Sequence, residues 1–199
     1  MKKFFIAAVA VIGSIAVANA QADKKAPDNC TGCTANTYDN CTTPVTVSLA
    51  NVLKMTCDNC ESLSSCANTI DEWKNGLNLG NATFSIASTK SFSVFAGVDQ
   101  AYLQSGSNKI NIGSGSSNVQ LYAKVTNNGV GGSAVTSPTA LTKSTSSTSQ
   151  SNAGSKLISA APASLTAKSA TLNFTTGTLP LNTPNGDYSV NVIVSAIQD

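Results

Sequence analysis

The chain has 199 residues, with twelve Lys, no Arg and no His against ten acidic residues, and a mean hydropathy of +0.03. An Arg-free chain of net charge +2 offers neither an electrostatic footprint nor a bidentate phosphate clamp, so no nucleic-acid partner is expected. Without His, no Ser–His–Asp or Cys–His catalytic arrangement can form within the chain.

Residues 1–20 carry the pattern of a secretory signal peptide. Lys2 and Lys3 form a basic start, Phe4 to Ala18 an uncharged apolar run, and Ala18-Asn19-Ala20 a small-residue cleavage site. The run is shorter than the roughly twenty residues of a spanning helix. No later stretch is apolar enough to span, so the expectation is export to periplasm, outer surface or medium without a membrane span after cleavage. Removing this leader leaves 179 residues with ten Lys against ten acids, a neutral chain of single-domain size. Few charges and many Ser, Thr, Asn and Gly disfavour long surface helices and suit strands joined by turns.

Residues 21–44 read as an irregular, cysteine-containing segment, and 45–199 as one β-domain. Val45, Val47 and Leu49 alternate with Thr46 and Ser48, which predicts a first strand continued by Val52 to Thr56. A short helix is predicted near 70–75: Thr69 can cap it, Glu72 stands in capping-box register and Gly76 can end it. Strand patterns follow at 82–89 (Phe84, Ile86), 91–96 (Phe92, Val94, Phe95), 109–112 (Ile110, Ile112), 118–126 (Val119, Leu121, Ala123, Val125) and 171–175 (Leu172, Phe174). The last run alternates Tyr188, Val190, Val192 and Val194 with Ser189, Asn191, Ile193 and Ser195. Lys74-Asn75-Gly76, Asn128-Gly129 and Pro184-Asn185-Gly186 mark turns, and residues 143–155 read as a long exposed loop within the domain. Many short strands in one domain predict an all-β, single antiparallel sandwich of immunoglobulin-like or fimbrial-like type, with a closed barrel as the alternative.

All six cysteines fall in two clusters, Cys30/Cys33/Cys41 and Cys57/Cys60/Cys66. In an exported chain they are disulfide candidates first. Each cluster holds an odd number, so if all six pair within the chain, one or three bonds join the clusters, and the 30–44 segment would double back towards the 57–66 loop. The competing readings are a zinc site from the two Cys-x-x-Cys pairs, twenty-three residues apart, and a redox-active pair. Neither Thr31-Gly32 nor Asp58-Asn59 opens a helix that would lower a thiol pKa, the zinc spacing exceeds the usual roughly 15–20 residues, and exported thiols oxidise before they meet metal, so no metal and no cofactor is expected.

Catalysis would have to rest on Asp, Glu, Lys, Tyr or Cys, and no Ser-x-x-Lys occurs; no catalytic residue is assigned and the chain is read as not an enzyme. Adjacent Asp71 and Glu72 are read as helix-start acids. Trp73, the single Trp, is a candidate ligand contact that could stack on a sugar, though packing of the short helix is the commoner use. Asn29, Asn40, Asn81 and Asn173 open Asn-x-Ser/Thr sequons, of consequence only in a glycosylating host.

Asn185-Gly186-Asp187-Tyr188 followed by alternating Val resembles the closing strand of spore-coat-U-like and fimbrial-type secreted β-sandwiches. Ile70 to Gly97, with Trp73-Lys74-Asn75-Gly76 and Ser88-Thr89-Lys90-Ser91-Phe92, is similar to segments of small exported proteins of Bacteroidetes-type bacteria. The two cysteine clusters depart from those families. The resemblance implies a cell-surface or pilus-subunit-like sandwich, structural or adhesive, that associates with its own copies or with other envelope subunits. Pairing at strand edges is the expected mechanism, with 187–197 as the candidate edge. The alternatives are a carbohydrate-binding module that takes glycans through Trp73, and a thiol- or metal-binding protein using the Cys-x-x-Cys pairs.

Overall fold

The alternation of apolar and polar residues is realised as extended backbone in a computed structural model that describes residues 47–60, 62–145, 147–181 and 183–199. The leader, the 21–44 segment, Val45, Cys30, Cys33 and Cys41 lie outside the described residues. Val47–Ala50 carry no regular structure. Residues 51–199 form one compact unit.

Its elements in chain order are β1 (Leu53–Asn59), α1 (Ile70–Asn75), β2 (Asn78–Ser88), β3 (Phe92–Val98), β4 (Tyr102–Ser105) and β5 (Asn108–Asn111). β6 (Leu121–Asn128), β7 (Ser133–Ala134), β8 (Thr139–Ala140), β9 (Thr142–Lys143), β10 (Ser155–Ala161), β11 (Ser164–Thr176) and β12 (Val192–Gln198) complete it. One sheet has the order β1-β2-β11-β6-β8, and the second the order β12-β3-β10-β7, with β9 on the far end of β3; β4 and β5 make a separate hairpin. All strand pairs are antiparallel except β3 with β9.

The all-β expectation holds, and the core shows why. Ala82, Phe84 and Ile86 of β2, Leu172 and Phe174 of β11, and Leu121, Ala123 and Val125 of β6 point one way. They meet Phe92, Val94, Ala96 and Val98 of β3 and Leu157, Ile158 and Ala161 of β10 in one buried cluster, a sandwich of two sheets. Each large side chain so buried contributes about 1.5–3 kcal/mol. The opposite face of the first sheet is polar and its cross-strand pairs match in kind. Thr83 and Thr171 hydroxyls lie 3.0 Å apart, and Asn173 Nδ2 donates to Asn81 Oδ1 at 2.9 Å.

The first strand departs from expectation. It begins at Leu53, and Val47 and Leu49, predicted within it, are 72% and 91% exposed. Leu53 pairs with Ser88, the last residue of β2, and the chain then turns into β3. Residues 47–52 therefore have no neighbouring strand among the described residues, and alternation without a partner does not make a ladder. Val52 is held, its N–H donating to Thr89 Oγ1 at 2.8 Å.

The 143–155 stretch is also tied down more than a long exposed loop would be. Thr142–Lys143 pair with Gly97 and Val98, Ser144 N–H donates to Val98 O at 2.8 Å, and a 3₁₀ turn spans Gln150–Asn152. Ser144 and Ala153 are buried although most of their neighbours are exposed. Gly97 permits this approach: a Cβ there would lie 2.8 Å from Ser144 Cβ and 2.9 Å from Thr142 O. β3 consequently has both faces covered along all seven residues.

Candidate functional site

Sheet edges are where this fold leaves backbone groups without a strand partner. In the first sheet, β8 is two residues long. The other edge, β1, carries Lys54 and Asp58, shifts register between Cys57 and Asn59, and is followed by the Cys57–Cys60 disulfide. Charge, bulge and brevity are the ordinary ways of blunting an edge. In the second sheet, β7 is again two residues long.

β12 has none of these devices. It runs Val-Ile-Val-Ser-Ala-Ile-Gln with no charge and no Pro, and pairs with β3 from Val192↔Val98 to Gln198↔Phe92 without a register shift. Among the described residues no strand lies on its other side. Both ends are fixed. At the start, Asp99 N–H donates to Asn191 O at 3.0 Å, and Asn191 Nδ2 donates to Asp99 Oδ2 at 2.6 Å. At the end, Asp199 N–H donates to Ser91 O at 3.0 Å, and Ser93 Oγ donates to Asp199 Oδ1 at 2.7 Å. Gln198 Nε2 reaches Val52 O at 3.1 Å and Ser88 Oγ at 3.0 Å, which ties the strand to the β1–β2 side of the sandwich.

Apolar cover is incomplete along this side. Leu53, Met55 and Cys57 of β1, and Val190, Val194 and Ala196 of the last run, pack on the core while only partly buried, and Val192 is 37% exposed. The predicted 187–197 edge therefore narrows to β12, with Tyr188 set apart in the preceding turn, where its hydroxyl donates to Pro184 O at 3.0 Å. The preceding Ser189 bridges Gln104 in β4.

The cysteines resolve in part. Cys57 and Cys60 are bonded to each other, so neither offers a thiolate to metal or substrate in this state. Cys66 is an exposed thiol with no partner among the described residues. Among the described residues no group of three metal-ligating side chains occurs.

α1 forms as the sequence predicts. Thr69 Oγ1 accepts the Glu72 N–H at 3.2 Å and Glu72 Oε2 accepts the Thr69 N–H at 2.9 Å, a complete capping box. The Asn68 N–H, the Thr69 hydroxyl and the Thr69 N–H, in that order, hold the Glu72 carboxyl below its ordinary value of 4.5. Trp73 is half-buried, and its carbonyl accepts the Leu179 N–H at 2.9 Å, so the helix that carries it is fastened to the segment after β11. Of the sequons, Asn81 is exposed, whereas Asn173 is buried with its Nδ2 donating to Asn78 Oδ1, Gly80 O and Asn81 Oδ1.

The fold and edge define an all-β sandwich with one long unblunted border. No known protein family and no curated protein matches the sequence.

Proposed function

We propose that the chain is a non-catalytic, exported cell-envelope or surface protein that assembles with copies of itself or with other envelope subunits through the outer edge of β12. The contrast among the four sheet edges carries this reading: three are short or blunted, and β12 is regular, uncharged and seven residues long. A further strand laid there would gain a ladder of backbone hydrogen bonds and cover the half-exposed apolar side chains beside it. The leader pattern of residues 1–20 supports export, and the oxidised Cys57–Cys60 pair suits an oxidising compartment. If an inter-cluster bond also forms, Cys66 is the member of the second cluster free to make it.

The test is light scattering with size exclusion over a range of concentrations, together with electron microscopy, on the intact protein and on Val192→Lys. Val192 is already partly solvated, so the Lys is tolerated by the fold while charging the edge. Concentration-dependent oligomers of the parent, shifted to monomer by Val192→Lys, are expected. A parent that stays monomeric at every concentration refutes the self-assembly, as do oligomers indifferent to the Lys.

A further inference from the structure

We infer a second binding feature, independent of the β12 edge: a cleft at the end of the first sheet that takes a neutral sugar ring. The cleft measures about 440 Å³ and is lined by Asn75, Asn78, Tyr122, Pro138, Thr175 and Thr178 with the backbone between them. Among the described residues no charged side chain lines it, which disfavours an anionic or cationic ligand.

Register places its central residues in one row. Thr175 of β11 pairs with Asn78 of β2 on one side and with Tyr122 of β6 on the other. Directly opposed Cβ atoms lie about 4.5–5.5 Å apart, so three strands span about 10 Å, the breadth of one or two hexose rings. The row thus offers an amide, a hydroxyl and an aromatic ring across neighbouring strands, at the register shift between Phe174 and Thr175. The Asn75 side chain, Asn78 Nδ2, the Thr175 hydroxyl and the Tyr122 hydroxyl make no hydrogen bond among the described residues. A pyranose has the complementary character: apolar C–H faces for a ring, and equatorial hydroxyls that both donate and accept.

The walls are preformed. Leu77 N–H donates to Thr176 Oγ1 at 2.9 Å, Thr176 N–H to Leu77 O at 2.8 Å, and Thr178 Oγ1 to Lys74 O at 2.8 Å. Tyr122 is seated against Gly177, where a Cβ would stand 3.3 Å from the ring Cε2. The backbone around the site is therefore already fastened, which lowers the ordering cost of binding a small polar molecule. Trp73 is not among the lining residues.

The experiment is calorimetry and saturation-transfer NMR on the intact protein with maltohexaose, cellohexaose and β-1,4-galactohexaose, and with a sulfated hexasaccharide as the anionic comparison. At least one neutral probe is expected to bind and the sulfated one to bind no better. Tyr122→Ala and Asn75→Ala should each weaken binding by about tenfold, with Tyr188→Ala unchanged. Should Tyr122→Ala fail to fold, Asn75→Ala decides, since Asn75 is exposed at the end of α1. No binding of any neutral probe at millimolar concentration overturns the inference, as does affinity unmoved in a folded Tyr122→Ala or, failing that, in Asn75→Ala. Oligomer formation is unaffected by either result, so this test and that of the β12 edge fail separately.

Discussion

Replacing Gly76 with Ala tests how the α1 turn is held to the sheet. Gly76 has φ +80° and ψ 179°, a region that only glycine occupies readily. A residue forced into it costs about 1–3 kcal/mol. A Cβ would also meet the Thr176 and Gly177 carbonyl oxygens, at 2.6 Å for the latter and closer still for the former. Both contacts are backbone, so relief requires the turn to lift from β11. Lifting breaks the reciprocal Leu77–Thr176 hydrogen bonds, worth about 1 kcal/mol each. The expected loss is therefore about 3–5 kcal/mol, a large part of the roughly 5–15 kcal/mol of an ordinary domain. Gly106 is the internal control: its φ is +57°, but nothing stands within 4 Å of a Cβ there. Gly106→Ala should cost only the left-handed backbone penalty, about 1–2 kcal/mol. Urea titration of both variants against the parent measures this, through the midpoint at unchanged m-value. Equal losses in the two variants would refute the close-approach argument.

Two further perturbations follow from the same geometry. Leu172→Ala removes a fully buried side chain from the centre of the sandwich and should cost about 2–5 kcal/mol by denaturant titration, whereas Val47→Ser, at an exposed site outside the ladder, should stay within about 0.5 kcal/mol; comparable losses would contradict the placement of the first strand. Glu72 has its pKa lowered by the Asn68 and Thr69 donors, so the cap it makes is fully present above pH 4.5 and is lost as pH falls through the lowered value. The Asn68 and Thr69 amide signals should report a midpoint below 4.5 in an NMR titration, and a midpoint at or above 4.5 contradicts the box.

The sandwich was readable because burial follows period two wherever a strand has one wet face. Phe84 and Ile86, Leu121 to Val125, and Leu172 with Phe174 all stand where the alternation puts them. β10 was not readable. Leu157 and Ile158 are adjacent yet both buried, because the register shifts between Lys156 and Ile158 and again before Ala161, with Ala160 at φ 50° between. A bulge erases the period locally. The opposite failure occurs at Val47 and Leu49, where the period is present and the partner strand is not. The capping box was fully local, so Thr69, Glu72 and Gly76 gave α1 to the residue. The cleft was beyond reach from sequence, because Asn78, Tyr122 and Thr175 are brought together only by cross-strand register. The closure of Cys57 on Cys60 was one of fifteen pairings that six cysteines permit, and spacing alone does not rank them.

β3 has a consequence for how the molecule comes to be. Its neighbours β9, β10 and β12 all follow it in the chain, the last by about a hundred residues. During synthesis one flank of Phe92–Val98 can pair once β9 and β10 are made, but the other stays open until residues 192–198 follow. Folding of this kind is slow and dominated by distant contacts. A nascent chain in that condition is vulnerable to self-association along the open flank for as long as its final strand is missing.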